Sequence, residues 1–254
     1  MTITSFSAGQ PCWADLGTSD VDLAREFYAA VMGWTVSPGN PDFGGYATAE
    51  HNGALVAGLG PQMGDAPVAW LLYFATSDAE ATQGAIVENG GTVIVPAHQV
   101  GDLGRLVIAS DPTGAVFGLW EAEQMPGFGA IGRAGAFAWC DLRTDQPDAA
   151  REFYGAVFGW EYAAVPMAGD EYTTFTAADT EAPSGGVGPM MGAEGVPPHW
   201  LLYFAVDDVD TAVAASVTLN GTSPAPPFDT PFGRMGPIVD SGGAPLWLMT
   251  LPEG

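Results

Sequence analysis

The sequence contains no lysine, and its six basic residues, all arginine, face 30 acidic ones for a formal net charge of −24. A chain so poor in cations repels phosphate backbones and anionic lipid, so neither nucleic acid nor membrane is expected as a partner; the acidity reads as solubilising. Two cysteines, Cys12 and Cys140, are too few for a disulfide framework and lack zinc-ligand spacing. No apolar run reaches membrane-span length, and the longest, around Trp200–Val206, has the length of a strand. Met1–Gly9 carries neither a basic patch nor a signal-length apolar stretch, so a cytoplasmic, reduced protein is the expectation. Signature loops are missing as well. No Gly-x-x-x-x-Gly-Lys occurs, no Gly-x-Gly-x-x-Gly follows a strand and opens a helix, and there is no Gly-x-Ser-x-Gly elbow.

What is present is apolar and repetitive. The chain is 47% hydrophobic and 11% aromatic over 254 residues, enough to bury a substantial core. Trp13–Trp34, WADLGTSDVDLAREFYAAVMGW, aligns without a gap on Trp139–Trp160, WCDLRTDQPDAAREFYGAVFGW, at an offset of 126, with 14 of 22 positions identical. Trp70–Asp78 (WLLYFATSD) recurs as Trp200–Asp208 (WLLYFAVDD) at an offset of 130. Gly104-Arg105 with Asp111–Ala115 recurs as Gly233-Arg234 with Asp240–Ala244. The duplication therefore runs end to end, giving one module over 1–125, a linker over 126–135 and a second module over 136–254.

Each half reads as two βαβββ units. Trp13–Gly17 alternates like a strand and runs into capping residues Thr18-Ser19-Asp20; Leu23, Phe27 and Val31 follow at helical spacing, and Gly33 closes the helix. In the second half Asp145 is the expected cap, Pro147 lies in the first turn, and Phe153 and Val157 repeat the buried stripe. The Gly-rich segments Tyr46–Gly60 and Tyr172–Pro189 look like short antiparallel strands. Trp70–Ala75 is a strand, Ser77 or Asp78 caps a second helix to about Glu88, and strands follow over Thr92–Val95, Arg105–Ala109 and Ala115–Trp120. This pattern predicts an α+β fold of curled, antiparallel-rich sheets around a cavity, with helices outside.

The REFY…GW opening, the WLLYFA strand and the Gly-Arg…Asp-Pro-Thr-Gly-Ala strand pair together resemble the vicinal oxygen chelate superfamily (glyoxalase, bleomycin resistance protein, extradiol dioxygenase), in particular two-module actinobacterial members. The resemblance covers nearly the whole chain. It implies a divalent metal held by His and Glu on inward-facing strand positions, which here fall on Trp13, Leu71 and Gly118 and on Trp139, Leu201 and Trp247. None of the six can ligate a metal, so no metal and no cofactor are expected. His51, His98 and His199 occupy unmatched places in the two halves; His199, two residues before Leu201, comes nearest to a ligand position and reads as a strand-edge histidine.

With the same register, each inner face carries a carboxylate and a phenol, Asp15 with Tyr73 and Asp141 with Tyr203, as candidate acid–base pairs. Trp13, Trp120, Trp139, Arg143 and Trp247 are candidate ligand-binding residues around them. The tryptophans could instead simply fill core space. The aspartates could be satisfied by Tyr73 and Tyr203 or by internal ion pairs with Arg105 or Arg234, although those arginines read more readily as braces near Asp111 and Asp240. Three functions remain open: a metal-independent binding protein for a small aromatic natural product or antibiotic, as in self-resistance; a metal-independent enzyme of secondary metabolism, of isomerase, lyase or cyclase type; and an interaction module with vestigial pockets. A monomer or a homodimer fits the duplication.

Overall fold

The computed structural model describes residues 3–252 apart from 65, 170 and 192–194. Strand β1 (Pro11–Thr18) buries Cys12, Ala14 and Leu16 completely on one face. Asp20 then accepts from the Leu23 backbone N–H and starts helix α1 (Val21–Met32), which Gly33 ends in the left-handed conformation at φ 68°. Strands β2 (Thr35–Val36), β3 (Ala47–His51) and β4 (Ala54–Pro61) complete one βαβββ unit. A second follows as β5 (Ala69–Ala75), α2 (Ala79–Glu88), β6 (Thr92–Val100), β7 (Gly104–Ser110) and β8 (Val116–Ala122).

The other half repeats both. Its first unit is β9 (Phe137–Thr144), α3 (Pro147–Phe158), β10 (Glu161–Ala164), β11 (Thr173–Thr176) and β12 (Gly185–Pro189). Its second is β13 (His199–Ala205), α4 (Val209–Thr218), β14 (Phe228–Thr230), β15 (Gly233–Val239) and β16 (Pro245–Met249). The fold is α+β, two strand-rich modules. Among the described residues, no helix is long and apolar enough to cross a membrane.

Each half forms one eight-stranded mixed sheet, in the orders β2-β3-β4-β1-β5-β8-β7-β6 and β10-β11-β12-β9-β13-β16-β15-β14, and neither closes into a barrel. Register decides which side chains meet. Antiparallel pairing sets Trp13 opposite Tyr73 and Asp15 opposite Leu71, and likewise Trp139 opposite Tyr203 and Asp141 opposite Leu201. The parallel pair at the sheet centre sets Tyr73 opposite Gly118, and Tyr203 opposite Trp247. Opposed residues share a face, so these form the inner face of each sheet, while Leu16, Leu72 and Phe74 point to the other.

That other face bears the helices, and it is buried between the modules rather than turned outward. Helix α1 packs on α4 of the second module, and α3 on α2 of the first. Phe74 packs against Phe158, Trp160 and Trp200, with ring centroids 5.0–5.5 Å away. Trp34 Nε1 donates to the Gly135 carbonyl at 2.7 Å, and its repeat partner Trp160 donates to the Gly9 carbonyl at 3.0 Å. The REFY…GW motif thus builds a twofold-like seam.

Three local expectations need correction. The buried stripe of α1 is Ala24, Phe27, Tyr28, Val31 and Met32, while Leu23 faces solvent; Val157 in α3 is only half-buried, and Tyr154 takes the central place. The seam selects the tyrosines, because their hydroxyls find partners across it. Asp145 does not cap α3: Gln146 occupies that position without a side-chain bond, and Pro147 begins the helix with fixed φ. Nor does Arg105 or Arg234 reach Asp15 or Asp141, or brace Asp111 or Asp240. Arg105 bonds Glu80 at 2.8 Å, and Arg234 bonds Asp210 at 2.5 Å and Asp229 at 2.9 Å, all at the surface. Asp111 and Asp240 instead hold their own turns through backbone N–H groups.

Candidate functional site

The inner face of the first module centres on Asp15. Its Oδ1 accepts from Trp13 Nε1 at 2.8 Å and from the Tyr46 hydroxyl at 2.5 Å, and Trp13 Nε1 also lies 2.9 Å from the Tyr46 oxygen. The Tyr73 phenol bears on the same carboxylate. Burial pushes the Asp15 carboxyl above its ordinary value of 3.8, against the lowering effect of Tyr46, Tyr73 and Trp13. Tyr46 and Tyr73 are raised as well, by burial first and by the Asp15 charge second, so both remain neutral donors. Among the described residues, no cation pairs with Asp15.

The second module repeats the cluster and adds one. Asp141, 3% exposed, accepts at Oδ1 from Trp139 Nε1 (3.1 Å) and Tyr172 (2.7 Å), and at Oδ2 from Tyr203 (2.8 Å) and Arg143 Nη2 (2.6 Å). Four donors fill the roughly four lone-pair sites of a carboxylate, so Asp141 has no acceptor site left for a ligand proton. Burial pulls the Arg143 guanidinium down, but Asp141 and Tyr203 outweigh it and leave it raised and charged. The position equivalent to Arg143 in the first module, 126 residues earlier, is Gly17.

Sequence reasoning placed Asp15, Tyr73, Asp141, Tyr203, Trp13, Trp139 and Arg143 on these faces, and they do come together there. It passed over Tyr46 and Tyr172, which complete both clusters. Their signal was a tyrosine at the same offset of 126, followed by a Gly-x-Gly strand in each half: Gly58-Leu-Gly60 and Gly186-Val-Gly188. A side chain at Gly58 would collide with the Tyr46 hydroxyl and Asp15, and one at Gly186 with the Tyr172 hydroxyl and Asp141. The phenols lie on the space these glycines vacate.

The remaining candidates differ. Trp120 is 7% exposed and spends its indole N–H on the Met125 carbonyl at 2.8 Å, pinning the segment between modules. Trp247 lies beside Tyr203, ring centroids 5.6 Å apart, and is half-buried. In the first module Trp13 packs against Phe128, which stacks on Phe137, so this inner face merges with the main core. In the second, Trp139, Leu201, Tyr203, Met235, Trp247 and Met249 form a separate apolar cluster. Two clefts of about 250 and 270 Å³, lined respectively by residues such as Thr76 and Trp120 and by Met32, His51 and Thr211, reach neither carboxylate.

The residues do not fit a divalent metal. The register turns Trp13, Leu71 and Gly118 inward in one half and Trp139, Leu201 and Trp247 in the other, and none offers a ligand atom. Among the described residues, no three His, Cys, Asp or Glu side chains gather into a metal-binding group. His199 stands across the strand pair from Arg143 and lies against the Pro197 carbonyl at 2.9 Å.

Comparison with known proteins agrees with the geometry of the fold. The family model described as Glyoxalase/Bleomycin resistance protein/Dioxygenase superfamily matches residues 12–119 and again 136–248. A Mycobacterium tuberculosis protein named "Putative glyoxylase CFP32" is 38% identical over 250 residues, covering 95% of this chain and 94% of its own. The "Anthracycline biosynthesis protein DnrV" of Streptomyces peucetius is 35% identical over 268 residues, covering 99% of this chain and 97% of its own. Among solved structures, the Mn(II)-bound glyoxalase from Novosphingobium aromaticivorans superposes with a TM-score of 0.67 at 15% identity, over 96% of this chain and 82% of that one. The 2,3-dioxygenase LapB from Pseudomonas sp. KL28 gives 0.65 at 13%, over 98% and 96%. At such identities the two structures speak for the fold alone. Two family matches in tandem, joined to full-length relatives above 30% identity, show that the chain belongs to the glyoxalase/bleomycin resistance protein/dioxygenase superfamily.

Proposed function

We propose that this chain is a small-molecule protein of secondary metabolism that holds a planar aromatic compound against the inner face of its second module, without a metal ion. The observation that carries the reading is the detached cluster around Trp139 and Trp247, two partly buried indoles outside the main core. Exposed Phe228 extends it, packing edge-on to Trp247 at 5.8 Å. Apolar surface left in water costs roughly 25 cal/mol per Å², and a flat ring system is the ligand shape that covers indole faces best. The polar residues Asp141, Arg143 and Tyr172 at its border supply orientation. The relative named for anthracycline biosynthesis supports a small-molecule role, and the lack of ligand atoms at the inward positions supports the metal-free part. Titration with a panel of planar polycyclic aromatics tests this, read by tryptophan fluorescence and thermal shift. Saturable binding that Trp247→Ala abolishes is the expected result; no response across the panel overturns the reading.

A second reading is favoured by one specific feature, the uncompensated carboxyl of Asp15. Held up by burial and flanked by the neutral phenols Tyr46 and Tyr73, it has the character of a general acid–base group for isomerisation, dehydration or cyclisation. Asp141, saturated by four donors, does not share that character. Full turnover of a candidate substrate by Asp15→Asn protein would end this reading.

A further inference from the structure

Arg143 is a cation that the cluster does not need. The first module assembles the same indole, carboxylate and two phenols with Gly17 in that place. The gap there is real: a side chain begun at Gly17 would meet nothing nearer than the Ala69 carbonyl, at 3.9 Å. An arginine whose side chain is only 11% exposed therefore carries a desolvation cost that the fold did not require.

Most of its donors are also idle. A guanidinium has five N–H groups, yet Arg143 spends Nη2 on Asp141 at 2.6 Å, and beyond that only the Tyr203 hydroxyl bears on it. Nε is buried with no partner. Asp141 cannot swing to serve it, because its oxygens already take Trp139, Tyr172 and Tyr203. The guanidinium rests over the Tyr172 ring, Cζ 5.5 Å from the centroid, on the face that also carries Trp139. Nη1 lies over Gly188, where a Cβ would come within 3.1 Å of it.

Arginine offers donors and never an acceptor, so an acceptor atom answers it, and oxygen is the acceptor an aromatic ring system most readily carries at its edge. We infer that the ligand of the second module carries ring-bound oxygen, a carbonyl or phenolate at the edge of its aromatic system, which accepts from Arg143 and makes this arginine the residue that selects oxygenated over plain ring systems. The inference rests on the aromatic-binding reading above. Arg143 stays protonated throughout and no bond is made or broken; the residue positions and discriminates.

The test is isothermal titration of the full chain with 2-(hydroxymethyl)anthraquinone and 2-(hydroxymethyl)anthracene, which differ only in two ring carbonyls. The wild-type protein is expected to prefer the quinone by about tenfold, as one charge-assisted hydrogen bond implies. In Arg143→Gly, which copies the first module, that preference, read as the ratio of the two affinities, should vanish. Arg143→Lys keeps a cation on Asp141, guards against a folding failure of the glycine variant, and should lose the preference too. Equal binding of both compounds by the wild type, or a preference that survives either substitution, overturns the inference and leaves aromatic binding standing. If neither compound binds, the aromatic reading fails and takes the inference with it.

Discussion

The Tyr28 hydroxyl donates to Asp240 Oδ2 at 2.8 Å, tying helix α1 of the first module to the β15–β16 turn of the second. Trp70 Nε1 donates to the same hydroxyl at 3.1 Å. The repeat copies the chain of contacts in reverse: Trp200 donates to Tyr154, and Tyr154 to Asp111 Oδ2 at 3.1 Å. Every member of both chains comes from a duplicated motif, and all six lie in the seam between modules. Removing either hydroxyl leaves an indole N–H and a buried carboxylate oxygen short of a partner. Tyr28→Phe and Tyr154→Phe should each cost about 1–3 kcal/mol. Urea denaturation measures this, and changes within a few tenths of a kcal/mol would show that the seam is held by packing alone.

This seam explains what the sequence conveyed and what it withheld. The repeat and the strand order were legible because Trp13, Asp15, Tyr73 and their counterparts recur at offsets of 126 or 130, and period-two alternation then fixes their face. Partners across the seam were not, since Tyr28 and Asp240 stand 212 residues apart and no local pattern links them. For the same reason the sequence neighbours of Arg105 and Arg234, Asp111 and Asp240, suggest braces that the fold does not use, since each arginine reaches a helix acid, Glu80 or Asp210, brought close only by folding. Tyr46 and Tyr172 escaped because they sit at the mouths of short strands in glycine-rich sequence, where the glycines look like turns rather than clearance for a ring.

That clearance leads to a second prediction. Gly58→Ala puts a methyl group where the Tyr46 hydroxyl and Asp15 already meet, and overpacking of this kind costs about 1–3 kcal/mol. Tyr46→Ala in the same chain should recover part of the loss, because one of the two colliding partners is then gone while the Asp15 carboxylate remains. Thermal denaturation of the two single variants and the double variant decides it. Strict additivity would mean that the glycine serves some other end.

The raised carboxyl of Asp15 makes a third, in pH. Below about pH 3.8 the group is protonated in both folded and unfolded chains and contributes no difference. Above that value the unfolded chain releases the proton first, so the folded state loses stability as pH rises toward the elevated folded value, and the deficit then stays constant. Asp15→Asn should therefore match the wild type in strong acid and gain on it toward neutrality. A melting-temperature difference that does not change between about pH 3.5 and pH 7.5 would contradict the shift.

The fourth concerns metal, and it tests the proposed metal-free reading against the Mn(II)-bound glyoxalase whose fold this chain shares. Ligand binding to a divalent ion requires several donor atoms converging within about 2–2.6 Å of one point. At the inward positions of each sheet the donors are replaced by indole and aliphatic side chains or by no side chain at all, and the nearby carboxylates are committed to phenol and indole hydrogens. A cation entering either cluster would have to strip Asp15 or Asp141 of those hydrogen bonds and receive one carboxylate in return. Exhaustive dialysis against a chelator should consequently leave both the melting temperature and aromatic-ligand affinity unchanged. Adding back Mn(II), Fe(II), Ni(II) or Zn(II) should produce no saturable heat by titration calorimetry. A stoichiometric metal found by elemental analysis, with ligand affinity lost on its removal, would reverse the metal-free reading and point to a donor set formed only after the inner-face side chains rearrange.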